Sequence, residues 1–171
     1  MDFHKHIRSI PDFPKKGILF RDMGPLMKDP TAWNHAIKKL GDSMDSIKPD
    51  LIAGIESRGF IVCSALAIYK NIGFIIIRKK GKLGGKTIGL NYSLEYGSDR
   101  LEIQKDCFPK NSKIFIVDDL LATGGTAKTS GDLVKKSGGI IVGYGFIIEL
   151  KDLCGRNKLD NGIPIQSIIT Y

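Results

Sequence analysis

The sequence predicts an α/β fold, a mostly parallel central sheet flanked by helices, on three observations. Apolar runs of strand length without polar alternation recur at residues 51–55, 114–117 and 140–150, the pattern of strands buried on both faces. Segments of helix length with their own stop signals lie between the strands. The two kinds alternate along the chain, which is the rhythm of βαβ units.

The elements follow in order. Asp29 and Pro30 offer an N-cap and a first-turn proline, and Trp33, Ala36, Ile37, Leu40, Met44 and Ile47 recur at helical spacing before Pro49, so a helix is predicted over this stretch, with Trp33 in the core. Residues 51–55 read as a strand, 60–70 as a helix stopped by Asn71-Ile72-Gly73, and 74–78 as a second strand, which makes one βαβ unit. Residues 94–97 and 101–103 read as short strands or a hairpin-like excursion outside the parallel rhythm, able to act as a lid. A strand at 114–117, a helix from about Ala127 to Ser137 stopped by Gly138-Gly139, a long strand at 140–150 and a last strand at 163–170 complete the chain. The N-terminal forty-odd residues stand apart as an appendage with one clear helix.

Composition narrows the function classes. At 171 residues, 42% hydrophobic and 26% charged, the chain is one domain's length with a soluble, globular balance. No apolar run reaches the ~20 residues that span a bilayer, and Met1 to His6 lead into no signal-like stretch; a cytoplasmic, membrane-free protein is expected. Cys63, Cys107 and Cys154 are odd in number and far apart, which suits reduced structural thiols. His4, His6 and His35 show no metal-ligand spacing. The net charge of +8 points to acidic ligands, and Arg78, Lys79, Lys80, Lys82 and Lys86 crowd a glycine-rich loop where an anion can be clasped. No aromatic platform interleaves that cluster, so nucleic acid is not the expected partner.

The most informative stretch is 114–126. Its strand ends in Asp118 and Asp119, at the carboxyl edge where such sheets bind ligands, and a carboxylate pair there can accept hydrogen bonds from a vicinal diol. Ala122, Thr123, Gly124, Gly125 and Thr126 follow; they are small enough for backbone N–H groups to close on an anion, with threonine hydroxyls and a helix N-terminus adding to the attraction. A nucleotide-hydrolase P-loop would need lysine directly after the last glycine, where Thr126 stands. The stretch reads as a seat for a phosphorylated sugar. The Glu56-Ser57-Arg58-Gly59 loop follows another strand and lies on the same edge.

Residues 117–126 resemble the ribose-phosphate signature of the type I phosphoribosyltransferases. Ile10-Pro11-Asp12-Phe13-Pro14, Phe20-Arg21-Asp22, Ser57-Arg58-Gly59-Phe60, Arg78-Lys79-Lys80-Gly81-Lys82-Leu83, Tyr92 to Gly97 and Gly155-Arg156-Asn157-Lys158-Leu159 resemble the adenine-specific branch of that family in the same order, over nearly the whole chain. The resemblance implies one domain at 1–171, with a hood and first helix at about 1–48 and a core at about 49–171 that carries a flexible catalytic lid loop at about 79–104. It implies a purine-salvage reaction in which adenine and 5-phosphoribosyl 1-pyrophosphate (PRPP) give AMP and pyrophosphate.

In that reading Asp118 and Asp119 hold the ribose, and 122–126 hold the 5-phosphate. Glu56, Ser57, Arg58, Arg78, Lys79, Lys82 and Tyr96 serve the pyrophosphate, with a cis peptide between Glu56 and Ser57. Leu19, Phe20, Arg21 and Leu150 meet adenine, and Glu95 moves the proton. Mg²⁺ is expected to arrive on PRPP and water without a dedicated protein ligand, and the enzyme is expected to be a homodimer with Arg78 reaching the neighbouring site. Gly84 stands where the family usually has proline after Leu83, which removes a stiffening residue from the loop. The alternatives are a transferase for another purine base and a noncatalytic regulator built on the same fold. The regulator would need a DNA-binding domain, and the residues before the first core strand show no helix-turn-helix pattern.

Overall fold

The computed structural model describes residues 1–93 and 98–171. A seven-stranded sheet runs through it, built from β3 (Leu51–Ile55), β4 (Gly73–Lys79), β5 (Thr87–Ser93), β6 (Ser98–Gln104), β7 (Lys113–Leu121), β8 (Ile140–Glu149) and β9 (Ile165–Thr170) in the order β5-β6-β4-β3-β7-β8-β9. The β4-β3-β7-β8-β9 part is parallel, while β6 joins β4, and β5 joins β6, antiparallel. Strands β3 and β7 carry unbroken buried runs because helices cover both faces, as an all-parallel core requires.

Among the described residues four α-helices accompany the sheet: α1 (Gly24–Lys28), α2 (Pro30–Asp42), α3 (Gly59–Lys70) and α4 (Gly125–Lys136). On one face α2 and α3 pack Leu40, Val62 and Leu66 against Ile52, Phe115 and Ile147. On the other, Leu133 and Val134 of α4 meet Ile114, Ile116 and Phe146. The Asp29 carboxylate accepts the N–H groups of Thr31 and Ala32 at 2.9 and 3.1 Å, so it caps α2 where the sequence places the cap. Asn71 ends α3 in the left-handed conformation (φ 52°), as a helix stop of this kind does.

Several elements differ from the sequence reading. The helix α2 ends at Asp42, and Met44, fully buried, reaches the core from a turn instead. Trp33 is half-buried, packed at the margin of the core. The hood contains a hairpin, β1 (Arg8–Ile10) against β2 (Phe20–Asp22), and the short α1, neither of which was expected. The span 79–104 is mostly strand, because β5 and β6 are paired along seven positions and extend the central sheet. Among the described residues of this span the loop is 80–86, and it is tied down: the Gly81 N–H donates to Glu102 at 3.0 Å, and the Gln104 amide to the Gly84 carbonyl at 3.1 Å. Residues 94–97, expected as a short strand, lie outside the described residues.

Candidate active site

The parallel arrangement sends the ends of β3, β4, β7 and β8 to one edge. There β7 outruns its neighbour: β3 pairs with β7 only as far as Gly54 opposite Val117, while β7 continues against β8 to Leu121 opposite Glu149. The two carboxylates expected after the strand are therefore still within it. One-sided pairing with β8 lets the strand carry them forward while its β3 side stays open. Asp119 is 7% exposed and Asp118 is half-buried.

A cleft of about 200 Å³ opens at this point, lined by Arg58, Asp118, Asp119 and the loop and helix start from Leu120 to Ala127. Gly124 adopts φ 80°, a left-handed conformation that glycine takes without strain, and it stands as the N-cap of α4 with no side-chain cap. The first N–H groups of α4 are left for a ligand, with the helix's partial positive charge behind them. All five residues of the predicted phosphate seat, Ala122 to Thr126, line the cleft together with both aspartates.

The Arg58 guanidinium pairs with the Asp119 carboxylate at 2.6 Å and lies 5.2 Å from the centre of the Phe20 ring. One side chain thus links the loop after β3, the acidic strand end and the hood. The Glu56–Ser57 peptide is cis. The Glu56 carboxylate accepts from Arg78 at 2.9 and 3.3 Å and from the Lys79 N–H at 2.8 Å. The Arg78 hydrogen bond, opposed by burial, holds its carboxyl below the usual range. Arg78 also donates to the Lys82 carbonyl at 2.9 Å, and the Lys79 ammonium pairs with Asp99 at 3.0 Å. The expected pyrophosphate residues Glu56, Arg78, Lys79 and Lys82 therefore form one network at the ends of β3 and β4.

The expected base contacts are less concentrated. Phe20 approaches the cleft through Arg58 and meets Phe13 edge to face at 5.2 Å. Leu19 is exposed, and Leu150 packs on the core just beyond β8. Arg21 donates to Ser9 and places its guanidinium 3.7 Å from the centre of the Tyr171 ring, so the hood strand rests on the end of the chain. Glu95 and Tyr96 lie outside the described residues. Among the described residues, no three His, Cys, Asp or Glu side chains gather as a metal-ligand set, and no helix is long and apolar enough to cross a membrane.

Two neighbours of the site were not singled out from the sequence for what they do there. Tyr92 of β5 donates to Asp99 at 3.4 Å, and β5 packs against α4, the helix that begins at the phosphate seat. Gly155 abuts the loop: a Cβ on Gly124 would overlap its carbonyl oxygen.

Electrostatics set Asp118 apart. Desolvation first, then the charge and hydrogen bond of Asp119, raise its carboxyl well above the ordinary range. A raised carboxyl stabilises the fold below the unfolded value of about 3.9, and that contribution is lost as pH rises through the folded value. Asp118→Asn is therefore expected to raise Tm at pH 7 by about 2–4 °C for each ~1 kcal/mol recovered, with the gain shrinking as the pH is lowered. Calorimetric scans across pH check this; a Tm at or below wild type at pH 7 would show that Asp118 is not held under strain.

The comparisons with known proteins point one way. A phosphoribosyl transferase domain model matches residues 29–161. An adenine phosphoribosyltransferase of Prochlorococcus marinus (strain MIT 9313) is 54% identical over 171 residues, covering 100% of this chain and 99% of the relative. The crystal structure of adenine phosphoribosyltransferase from Thermoanaerobacter pseudethanolicus superposes with a TM-score of 0.95 at 46% identity, over 99% of this chain and 98% of that one. The Saccharomyces cerevisiae enzyme, solved with an imino-altritol bisphosphate and adenine, gives a TM-score of 0.91 at 38% identity, over 98% and 96%.

Proposed function

The chain belongs to the phosphoribosyltransferase family, and from that premise we propose that it joins adenine to the 5-phosphoribosyl group of PRPP, releasing pyrophosphate and forming AMP in purine salvage. The observation that carries the reading is the single cleft in which Asp118 and Asp119 stand beside the Gly124 turn and the open N-terminus of α4. A ribose 5-phosphate matches that pairing of diol acceptors with anion donors.

Each group then has a task. The N–H groups at the start of α4 and the hydroxyls of Thr123 and Thr126 hold the 5-phosphate, and the two aspartates accept the ribose hydroxyls. The backbone at Ser57, with Arg58, Arg78, Lys79 and Lys82, stabilises the departing pyrophosphate. Mg²⁺ would be carried in with PRPP rather than by a dedicated protein ligand, and would supply charge neutralisation to the leaving group beside Arg58, Arg78, Lys79 and Lys82. Phe20 and Leu150 offer apolar contact to the base, with the backbone of Leu19 and Arg21 at its edge. As C1 gains oxocarbenium character, N9 of adenine attacks and Glu95 takes the N7 proton. Exclusion of water matters because hydrolysis of the activated sugar competes with transfer. The working enzyme is a homodimer in this reading, with Arg78 exchanging its Glu56 partner for the neighbouring copy's pyrophosphate.

Incubation of the protein with Mg²⁺, PRPP and adenine, hypoxanthine, guanine or no base tests the proposal, with nucleotide and pyrophosphate separated by chromatography. AMP and matching pyrophosphate are expected with adenine alone; product with another base would revise the pocket, and none with any base would remove the activity. Glu95→Ala is expected to slow the chemical step about a hundredfold in single-turnover kinetics, with PRPP binding little changed. An unaltered chemical rate would take Glu95 out of the mechanism.

A further inference from the structure

The motif from Gly155 to Leu159 has no task in the chemistry above, yet its Arg156, 42% exposed, pairs with a carboxylate buried behind the site. Glu149 ends β8 with a side chain only 4% exposed, and Arg156 meets both of its carboxylate oxygens, at 2.5 and 2.6 Å. The same guanidinium donates to the Ile165 carbonyl at 3.0 Å and to the Ser167 hydroxyl at 3.3 Å, both on β9. Arg156 lies in a single 3₁₀ turn, Gly155–Lys158, so these bonds fasten that turn to the last two strands of the sheet. A buried ion pair is weak evidence of stabilisation, because desolvation offsets most of its attraction. What the fastened turn touches is therefore the informative question.

It touches the phosphate seat. A Cβ on Gly155 would overlap the Ala122 carbonyl oxygen and lie 3.0 Å from the Gly124 nitrogen, and a Cβ on Gly124 would overlap the Gly155 carbonyl. Gly155 is not among the residues that line the cleft, so it meets the loop from outside. Two backbones in contact with no side chain between them pass displacement directly, since close-packed atoms have no slack to absorb it.

We propose that Glu149 and Arg156 are positioning residues for the 5-phosphate: together they clamp Gly155 against the loop and set where its N–H groups point. The proposal rests on the phosphoribosyl-transfer reading. It gives the clamp a role in ligand affinity that a brace for the sheet edge alone would not have.

Two variants test it. Arg156→Lys keeps the charge beside Glu149 but loses the planar fork, and leaves no carboxylate unpaired. The double variant Glu149→Leu with Arg156→Met removes both charges, which protein cores tolerate. Calorimetry with ribose 5-phosphate and steady-state kinetics in both substrates are the measurements. In the double variant the ribose 5-phosphate Kd and the KM for PRPP are expected to rise about tenfold or more, since misplacement of about 1 Å remote from the chemistry can cost a hundredfold. The KM for adenine and kcat at saturating PRPP should stay near wild type, and Arg156→Lys should show the same split, smaller. Ribose 5-phosphate affinity unchanged in both variants, or weakened in parallel with adenine, would overturn the clamp. A wild-type protein that makes no AMP would instead remove the phosphoribosyl-transfer reading itself.

Discussion

Gly124→Val is expected to lower kcat/KM for PRPP by about a thousandfold, equivalent to losing two charge-assisted hydrogen bonds of about 2 kcal/mol each. The reason is local and double. Gly124 sits at φ 80°, where a β-branched side chain is strained, and any Cβ there would overlap the Gly155 carbonyl. Neither conflict can be relieved by rotating a side chain, because the atom in the way is backbone. The loop must move, and its N–H groups move with it, away from the phosphate. Adenine binding, which uses none of these groups, should change far less. Titration of wild type and variant with PRPP and with adenine checks the contrast; wild-type PRPP affinity in a folded Gly124→Val protein would mean that the 5-phosphate is held elsewhere.

The contrast between Gly124 and Gly155 also marks how far the sequence could be read. The strands at 51–55, 114–117 and 140–150 were legible because both faces of the sheet are covered there, and their apolar runs have little polar alternation to confuse them; β9, at the sheet's edge, is only partly buried, with Gln166 and Ser167 among its isoleucines. The hood hairpin was not, because three-residue strands such as β1 and β2 are too short for any periodicity to register. Strand β5, Thr-Ile-Gly-Leu-Asn-Tyr-Ser, follows a glycine-rich loop and contains a glycine, so it read as more loop. Its pairing with β6 is tertiary context that local propensity does not contain. Met44 illustrates the converse: helical spacing continued past Asp42, but a turn rather than a helix brings it to the core.

In the site, the part contributed by one continuous stretch was legible. The strand, the acid pair and the small-residue turn from 114 to 126 occupy one cleft as the spacing suggested. The partnerships across the chain were not, because no local pattern says that Glu56 meets Arg78, that Lys79 meets Asp99, or that Arg156 folds back on Glu149. Each joins residues from the ends of different elements. Where an acid and a base lie seven, twenty or twenty-two positions apart without a shared helix, the tertiary arrangement of strands and turns decides whether they touch.

Arg58→Ala is the second variant with a large expected effect, because Arg58 is where three parts of the site meet. Its guanidinium neutralises Asp119, approaches the Phe20 ring and belongs to the segment that faces the leaving pyrophosphate. Truncation leaves the Asp119 carboxylate, 7% exposed, without its charge partner. The stability loss is expected to be about 2 kcal/mol, below the ~3–5 kcal/mol of a wholly buried pair because the Arg58 side chain is 35% exposed. PRPP affinity should fall about a hundredfold, as loss of a charged contact worth about 3 kcal/mol implies, with adenine affinity reduced much less. Asp119→Asn separates the two effects. If the ion pair is the structural part of the role, the double variant should be more stable than Arg58→Ala alone, since no buried charge is left unpaired, while PRPP binding becomes weaker still because Asp119 also faces the ribose. Denaturant unfolding supplies the first comparison and calorimetry the second. Equal losses of PRPP and adenine affinity would assign Arg58 to the architecture of the cleft, and its contact with pyrophosphate would have to be given up.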